Sequence, residues 1–223
     1  MSTAPLRVDI WSDIVCPWCY IGKRKFEHAL AELGDDIAVD VRYHAYQLDP
    51  TAPPGSAMPV TEMYAKKFGG ADVANQMIER VTGVAAEVGL KFHLDIALRA
   101  NTLLAHRLMW LAGQPGAPAG QAALNDRLMR AYFSEGRNIG DPDTLAGLAA
   151  EVGFDAEQVR GWLAGDAGAA EVAAEIQQAA EYGITAVPTF VINEQWAIPG
   201  AQESDAFVSV LRRAHDKTAA GTA

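Results

Sequence analysis

A chain of 223 residues with a formal net charge of −10 has room for one large domain, or for a smaller domain carrying an insertion. The acidic balance argues against nucleic-acid and anionic-membrane partners, which need a basic footprint, and no apolar run approaches the roughly 18–20 residues that span a bilayer. Half of the residues are apolar on a wide count, and the charged fraction is ordinary, so a packed globule is expected. The opening run Met1-Ser2-Thr3-Ala4-Pro5-Leu6-Arg7 has no hydrophobic signal core, which leads us to expect a cytoplasmic protein.

In chain order, Leu6-Arg7-Val8-Asp9-Ile10-Trp11 alternates apolar and polar residues and predicts a strand. After a short turn carrying Cys16-Pro17-Trp18-Cys19, Phe26, Ala29, Leu30 and Leu33 recur at helical spacing until Gly34 stops the run. Ile37–Tyr43 alternates again and predicts a second strand. Strand, helix, strand permits a parallel βαβ unit with the cysteines at the C-terminal end of the first strand. Pro50, Pro53, Pro54 and Pro59 mark a loop over 49–60.

Helical periodicity then runs almost unbroken, around 61–68, 72–88, 100–112 and 121–134, with a Gly/Pro/Ala break at 113–120. Asp141-Pro142 predicts a capped helix start, with Leu145, Leu148 and Val152 on one face. Shorter periodicities follow at 155–164 and 166–182. Val187–Asn193 predicts a strand, Gln195–Ile198 a hairpin partner, and 203–214 a closing amphipathic helix, with a frayed tail from about 216. The βα start and ββα end would share one sheet around an all-helical insertion. The expected division is 1–60 and 166–217 for the sheet domain, 61–165 for the helical insertion and 218–223 for a flexible tail.

The two cysteines are the only two in the chain, and at this spacing they could staple almost nothing. A zinc site needs two further ligands, and His28, His44, His93, His106 and His215 are scattered singly. A strand-to-helix junction, however, favours thiolate chemistry, because unpaired N–H groups and the positive end of the helix dipole stabilise negative charge there. Pro17 suits the first helical position, and Cys19 lies one turn further in, within reach of a disulfide. Cys16 is then the attacking sulfur and Cys19 the resolving one.

The run Trp11-Ser12-Asp13-Ile14-Val15-Cys16-Pro17-Trp18-Cys19-Tyr20-Ile21-Gly22, together with Gly183-Ile184-Thr185-Ala186-Val187-Pro188-Thr189-Phe190, resembles the DsbA-like thioredoxin family. Asn101-Thr102-Leu103-Leu104-Ala105-His106-Arg107 also resembles its FrnE-type branch. The resemblance implies an α/β thioredoxin fold with a large all-helical insertion domain. It also implies a cis bond before Pro188, packed against the cysteine pair, where the Val187 backbone binds extended substrate. Pro17, Trp18, Val187 and Pro188 become the candidate substrate-binding residues. DsbA has histidine where this chain has Trp18, which implies a milder oxidant.

Several side chains carry two readings. Asp13 is a candidate proton relay for thiol exchange, or it shapes the turn or caps the helix. Trp11 belongs to the core and Trp18 to the site, or both line a groove. Asn101 and His106 are candidates to face a cleft between the domains, although Asn101 is also a sound helix cap. Arg107 is expected to meet an acid, and Lys23, Arg24 and Lys25 to form a solvated face.

The expected function is a dithiol–disulfide oxidoreductase acting on protein or small-molecule thiols and disulfides. It would need no metal and no cofactor beyond the redox-active Cys16–Cys19 pair, with glutathione a candidate thiol donor. Two alternatives remain open. One is a glutathione-dependent isomerase or transferase of the 2-hydroxychromene-2-carboxylate isomerase or kappa type, whose members use a serine and lack CxxC. The other is a non-catalytic redox sensor. The oligomeric state is open.

Overall fold

The computed structural model describes residues 5–56 and 58–221. Four strands form one sheet in the order β2-β1-β3-β4. β1 (Leu6–Ser12) lies at its centre, parallel to β2 (Val39–Ala45) and antiparallel to β3 (Thr189–Ile192), which forms a hairpin with β4 (Trp196–Pro199). The hairpin turns through Asn193 and Glu194, both at positive φ, a conformation asparagine tolerates better than most residues.

Each face of the sheet is covered, so β1 is buried along nearly its whole length. Alternation along a strand sends neighbouring side chains to opposite faces. Val8, Ile10, Phe190 and Ile192 join Phe26 of α1 (Pro17–Leu33) and Phe207 of α9 (Ser204–Gly221) in the main core. The rings of Phe26, Phe190 and Phe207 meet at 4.7–5.3 Å. Trp11 and Val191 point the other way, into a smaller cluster with Ala179 of α8 (Ala169–Glu181).

Between β2 and α8 the chain is helical: α2 (Val60–Phe68), α3 (Ala71–Glu87), α4 (Leu103–Ala112), α5 (Gln121–Glu135), α6 (Pro142–Ala150) and α7 (Ala156–Ala164). Leu124, Leu128, Met129 and Phe133 of α5 are fully buried and extend the main core into this region. Tyr20 of α1 stacks on Phe92, which stacks on Phe133, so the helical segment and the sheet segment share one apolar interior.

Asp141 caps α6, its carboxylate accepting from the Thr144 N–H at 2.7 Å. Val152 falls beyond the end of that helix. Four starts fall later than the patterns: α4 begins at Leu103 rather than near 100, α8 at Ala169 rather than 166, β2 at Val39 rather than 37 and β3 at Thr189 rather than 187. The tail expected to fray from about 216 instead continues α9 to Gly221; residues 222–223, and Met1–Ala4 at the other end, lie outside the described residues.

The basic run on α1 is corrected. Lys23 and Lys25 are buried, at 3% and 8% exposure. Lys23 pairs with Glu27 and Asp126, Arg24 with both as well, and Lys25 with Glu203. The periodicity placed these residues away from the apolar stripe, but it could not show that α5 and the start of α9 would bring acids over them. Arg107 is corrected too: among the described residues its guanidinium meets no acid, and it donates to the carbonyls of Trp162, Leu163, Gly165 and Ala167. Carbonyls at the end of a helix lack intrahelical partners, and those closing α7 find theirs in this one side chain.

Candidate active site

Cys16 is the N-cap of α1, in extended backbone conformation, and Pro17 opens the helix. Its carbonyl accepts from the N–H groups of Cys19 and Tyr20 at 3.0 and 3.3 Å, and its own N–H donates to the Asp13 carbonyl. The first turn of α1 holds no acidic residue.

Both cysteines are free thiols. The Cys16 thiol donates to the Val187 carbonyl oxygen across 3.7 Å, and the Val187–Pro188 bond is cis. Burial pushes the Cys19 thiol well above its ordinary value, and the neighbouring Cys16 sulfur adds to this, against smaller opposing contributions from the Ser12 hydroxyl and the Asp13 backbone. Both cysteines are buried, at 3% and 2% exposure, but only Cys16 lines the cleft, at a helix terminus, and the pair is unequal in that respect.

A cleft of ≈ 860 Å³ opens beside Cys16. Val15, Cys16, Pro17 and Trp18 line it from the start of α1, and Thr185, Ala186 and Val187 from the loop before β3. α2 and α3 contribute residues including Met63, Tyr64, Lys66, Lys67, Met77 and Arg80, and Leu48, Asp49, Met58, Arg99 and Tyr132 also line it. Trp18 is 40% exposed, an unusual position for a tryptophan outside a binding surface.

Of the residues singled out from sequence, Cys16, Pro17, Trp18 and Val187 come together on this cleft. Pro188 lies buried beside it, and a Cβ on Gly22 would stand 3.0 Å from its ring and 3.3 Å from the Ala201 Cα. That close approach is why α1 carries glycine on the side facing the loop. Trp11 is buried, stacked on His44 at 4.6 Å, and takes no part in the cleft.

Asn101 and His106 do not line this cleft, which leaves the structural reading of each. Asn101 ties loops together: its amide donates to the Ala52 carbonyl and its oxygen accepts from the Leu103 N–H. His106 is buried, with Nε2 3.0 Å from the Tyr46 carbonyl and 3.3 Å from Asp13. Asp13, fully buried, accepts from the Leu48 N–H at 2.8 Å. It does not cap α1, which has no side-chain cap. Its carboxylate instead fixes the Leu48 loop, one border of the cleft.

The half of the cleft built by α2, α3 and Tyr132 was not legible. Met63, Tyr64 and Phe68, or Met77 and Val81, read as ordinary apolar helix faces, and only their meeting with the cysteine helix gives them a second surface. Among the described residues no cluster of histidine, cysteine and acidic side chains could hold a metal ion.

The fold and this thiol pair define a thioredoxin-type scaffold carrying a CxxC helix start, and a family model for the DSBA-like thioredoxin domain matches residues 7–212. The chain belongs to that family. It is 37% identical to a probable DsbA oxidoreductase from Streptomyces coelicolor, with a TM-score of 0.86 over 94% of this chain and 89% of that one. It is 30% identical over 213 residues to the uncharacterized protein YwbO of Bacillus subtilis, covering 92% of this chain and 96% of that protein. The fold is also that of the cytosolic disulfide reductase DsbM from Pseudomonas aeruginosa, solved with GSH: 21% identity, TM-score 0.62, 93% of this chain and 98% of that one.

Proposed function

We propose that the chain is a dithiol–disulfide oxidoreductase working through a Cys16 mixed disulfide that Cys19 resolves. One arrangement carries the reading: Cys16 caps a helix on the wall of a cleft, its sulfur 3.7 Å from the Val187 carbonyl.

In the reducing direction the Cys16 thiolate attacks one sulfur of a client disulfide. A Cys16–client bond forms, and the second client sulfur leaves as a thiolate that takes up a proton. Cys19 then gives up its proton and attacks the Cys16 sulfur, expelling the first client sulfur as a thiolate. The client gains two electrons and the protein ends with a Cys16–Cys19 disulfide. Run backwards, the same steps oxidise a client dithiol.

Cys16 presents its sulfur at the start of α1 on the cleft wall, and burial keeps Cys19 protonated until the mixed disulfide forms beside it. Asp13 acts as a positioning residue, holding the Leu48 border of the cleft in place. The Val187 backbone supplies an edge for an extended client. In a cytoplasmic setting, thiol donors such as glutathione would return the pair to the dithiol form and favour reduction of clients.

The test is turnover of insulin disulfides with glutathione or dithiothreitol as donor, together with a Cys19→Ala variant whose covalent partners are identified by mass spectrometry. The wild type should turn over and the variant should accumulate mixed disulfides on Cys16. Absence of turnover with every donor would reject the reading in favour of a passive redox sensor. Glutathione conjugation or chromene isomerisation persisting in a Cys16→Ser, Cys19→Ser double variant would place the chain with the isomerase and transferase class.

A further inference from the structure

We propose that the cleft selects an extended client segment whose cysteine is flanked by acidic and apolar side chains, with Arg80 and Lys67 receiving the carboxylates. The inference rests on the oxidoreductase reading for the role of the client cysteine and adds which clients are chosen.

Charge is the first observation. The chain carries a net −10, yet Lys66, Lys67, Arg80 and Arg99 line the cleft against Asp49 alone. Asp49 is taken by Arg99 at 2.7 Å, and Lys66 by Glu62 at 2.7 Å. Arg80 has no ion pair among the described residues, and the Lys67 ammonium lies over the Phe68 ring at 5.6 Å. Both charges are exposed and are left to be met by whatever enters. The acidic remainder of the surface is screened beyond roughly 8 Å at physiological salt, so these nearby cations set the local field.

The second observation is apolar surface. Trp18, Leu48 and Met77 are 40%, 42% and 40% exposed, and all three line the cleft. Met58 and Met63 join them. Methionine adapts its shape to irregular partners, so this wall suits varied apolar side chains rather than one fixed ligand.

Hydrogen-bond donors are the third. The Tyr64 and Tyr132 hydroxyls have no hydrogen-bond partner among the described residues, and both tyrosines line the cleft; neither hydroxyl is a buried unsatisfied atom, so both are open to an occupant. Both are held as neutral phenols, Tyr64 by burial and by the nearby Cys16, and so remain donors for a client carbonyl or carboxylate.

A volume of ≈ 860 Å³ exceeds what a single side chain fills. Glutathione offers carboxylates but no apolar side chain, and would leave the tryptophan, leucine and methionines without contacts. The occupant that uses all three features is an acidic, apolar peptide segment.

Fluorescence anisotropy on the full chain tests this, using labelled hexapeptides with apolar flanks, serine in place of cysteine, and two glutamates, two glutamines or two lysines. The glutamate peptide should bind about fivefold or more tighter than the glutamine peptide, with the lysine peptide weakest, as expected for complementary charge. Arg80→Glu with Lys67→Glu should invert that order, and Arg80→Gln should shrink the preference. Melting curves check that these surface variants fold. Equal binding of the three peptides, or preference for lysine, overturns the proposal. So does displacement of the glutamate peptide by glutathione at equal concentration, which would assign the cations to a small anionic thiol. Charge-ordered binding without disulfide exchange supports the selectivity and overturns the oxidoreductase reading; exchange without charge-ordered binding does the reverse.

Discussion

The Cys16 sulfur and the Val187 carbonyl oxygen, 171 residues apart in the chain, sit 3.7 Å from one another. The antiparallel pairing of β1 with β3 brings them together, setting Trp11 opposite Thr189 and so placing the ends of both strands at the same edge of the sheet. Under the proposed function, a client peptide lying along Val187 would be held beside the Cys16 sulfur.

The two thiols should differ sharply toward alkylation. Brief iodoacetamide treatment of the reduced protein at neutral pH should label Cys16, which lines the cleft, and spare Cys19, whose thiol burial holds well above its ordinary value. Peptide mapping by mass spectrometry reads the ratio. Urea should equalise the two, and equal labelling without urea would mean that Cys19 is not enclosed.

Gly22 should tolerate no branched side chain. A Cβ there already stands 3.0 Å from the Pro188 ring, and overpacking of this kind costs about 1–3 kcal/mol. Gly22→Val should lower the urea midpoint accordingly and slow insulin reduction, since it pushes the loop carrying Val187. Full activity in this variant would show that the loop position is not critical.

Arg107→Met should destabilise the fold by about 2–4 kcal/mol, because it leaves several carbonyls unpaired and removes a largely buried cation. The wild-type guanidinium serves four of them. Arg107→Lys should recover only part, as an ammonium cannot reproduce the planar fork. Chemical denaturation compares the three proteins.

His44 should make stability depend on pH. Burial lowers its affinity for a proton, but the hydrogen bonds it donates to Asp9 at 2.7 Å and Glu175 at 3.2 Å more than reverse this, and its pKa is raised to about 9. A raised folded pKa gives stability that is complete below the unfolded value near 6.5 and disappears as pH climbs through about 9. The size is on the order of 2–3 kcal/mol. Urea midpoints of wild type and His44→Gln, taken from pH 6 to pH 9.5, should converge as pH rises. Subtracting the variant cancels the titration of the cysteines, and parallel curves would show that His44 is not charged in the fold.

Much of the fold was readable because its signals are local. Gly34 ends α1 and Asp141 caps α6 through the immediate chain. The Cys16-Pro17 start of α1 likewise needs nothing distant. Asn101 and His106 each carried a cleft reading and a structural one, and packing decided for the structural: Asn101 accepts from the first N–H of α4, and His106 is held against Asp13 and Tyr46. Lys23 and Lys25 misled: Lys23 has a local partner in Glu27, but Asp126 and Glu203, which complete their pairing, arrive from more than 100 residues on.

The sequence by itself determined where a reactive thiol could arise, because a cysteine at a strand-to-helix junction needs only its own backbone N–H groups and helix dipole. Only the tertiary structure decided what stands opposite it. Val187 reaches Cys16 through strand pairing, and Tyr64, Met77 and Arg80 reach the same cleft through helix packing. Contacts of that kind depend on how elements are brought together in space, which no pattern within a single segment records.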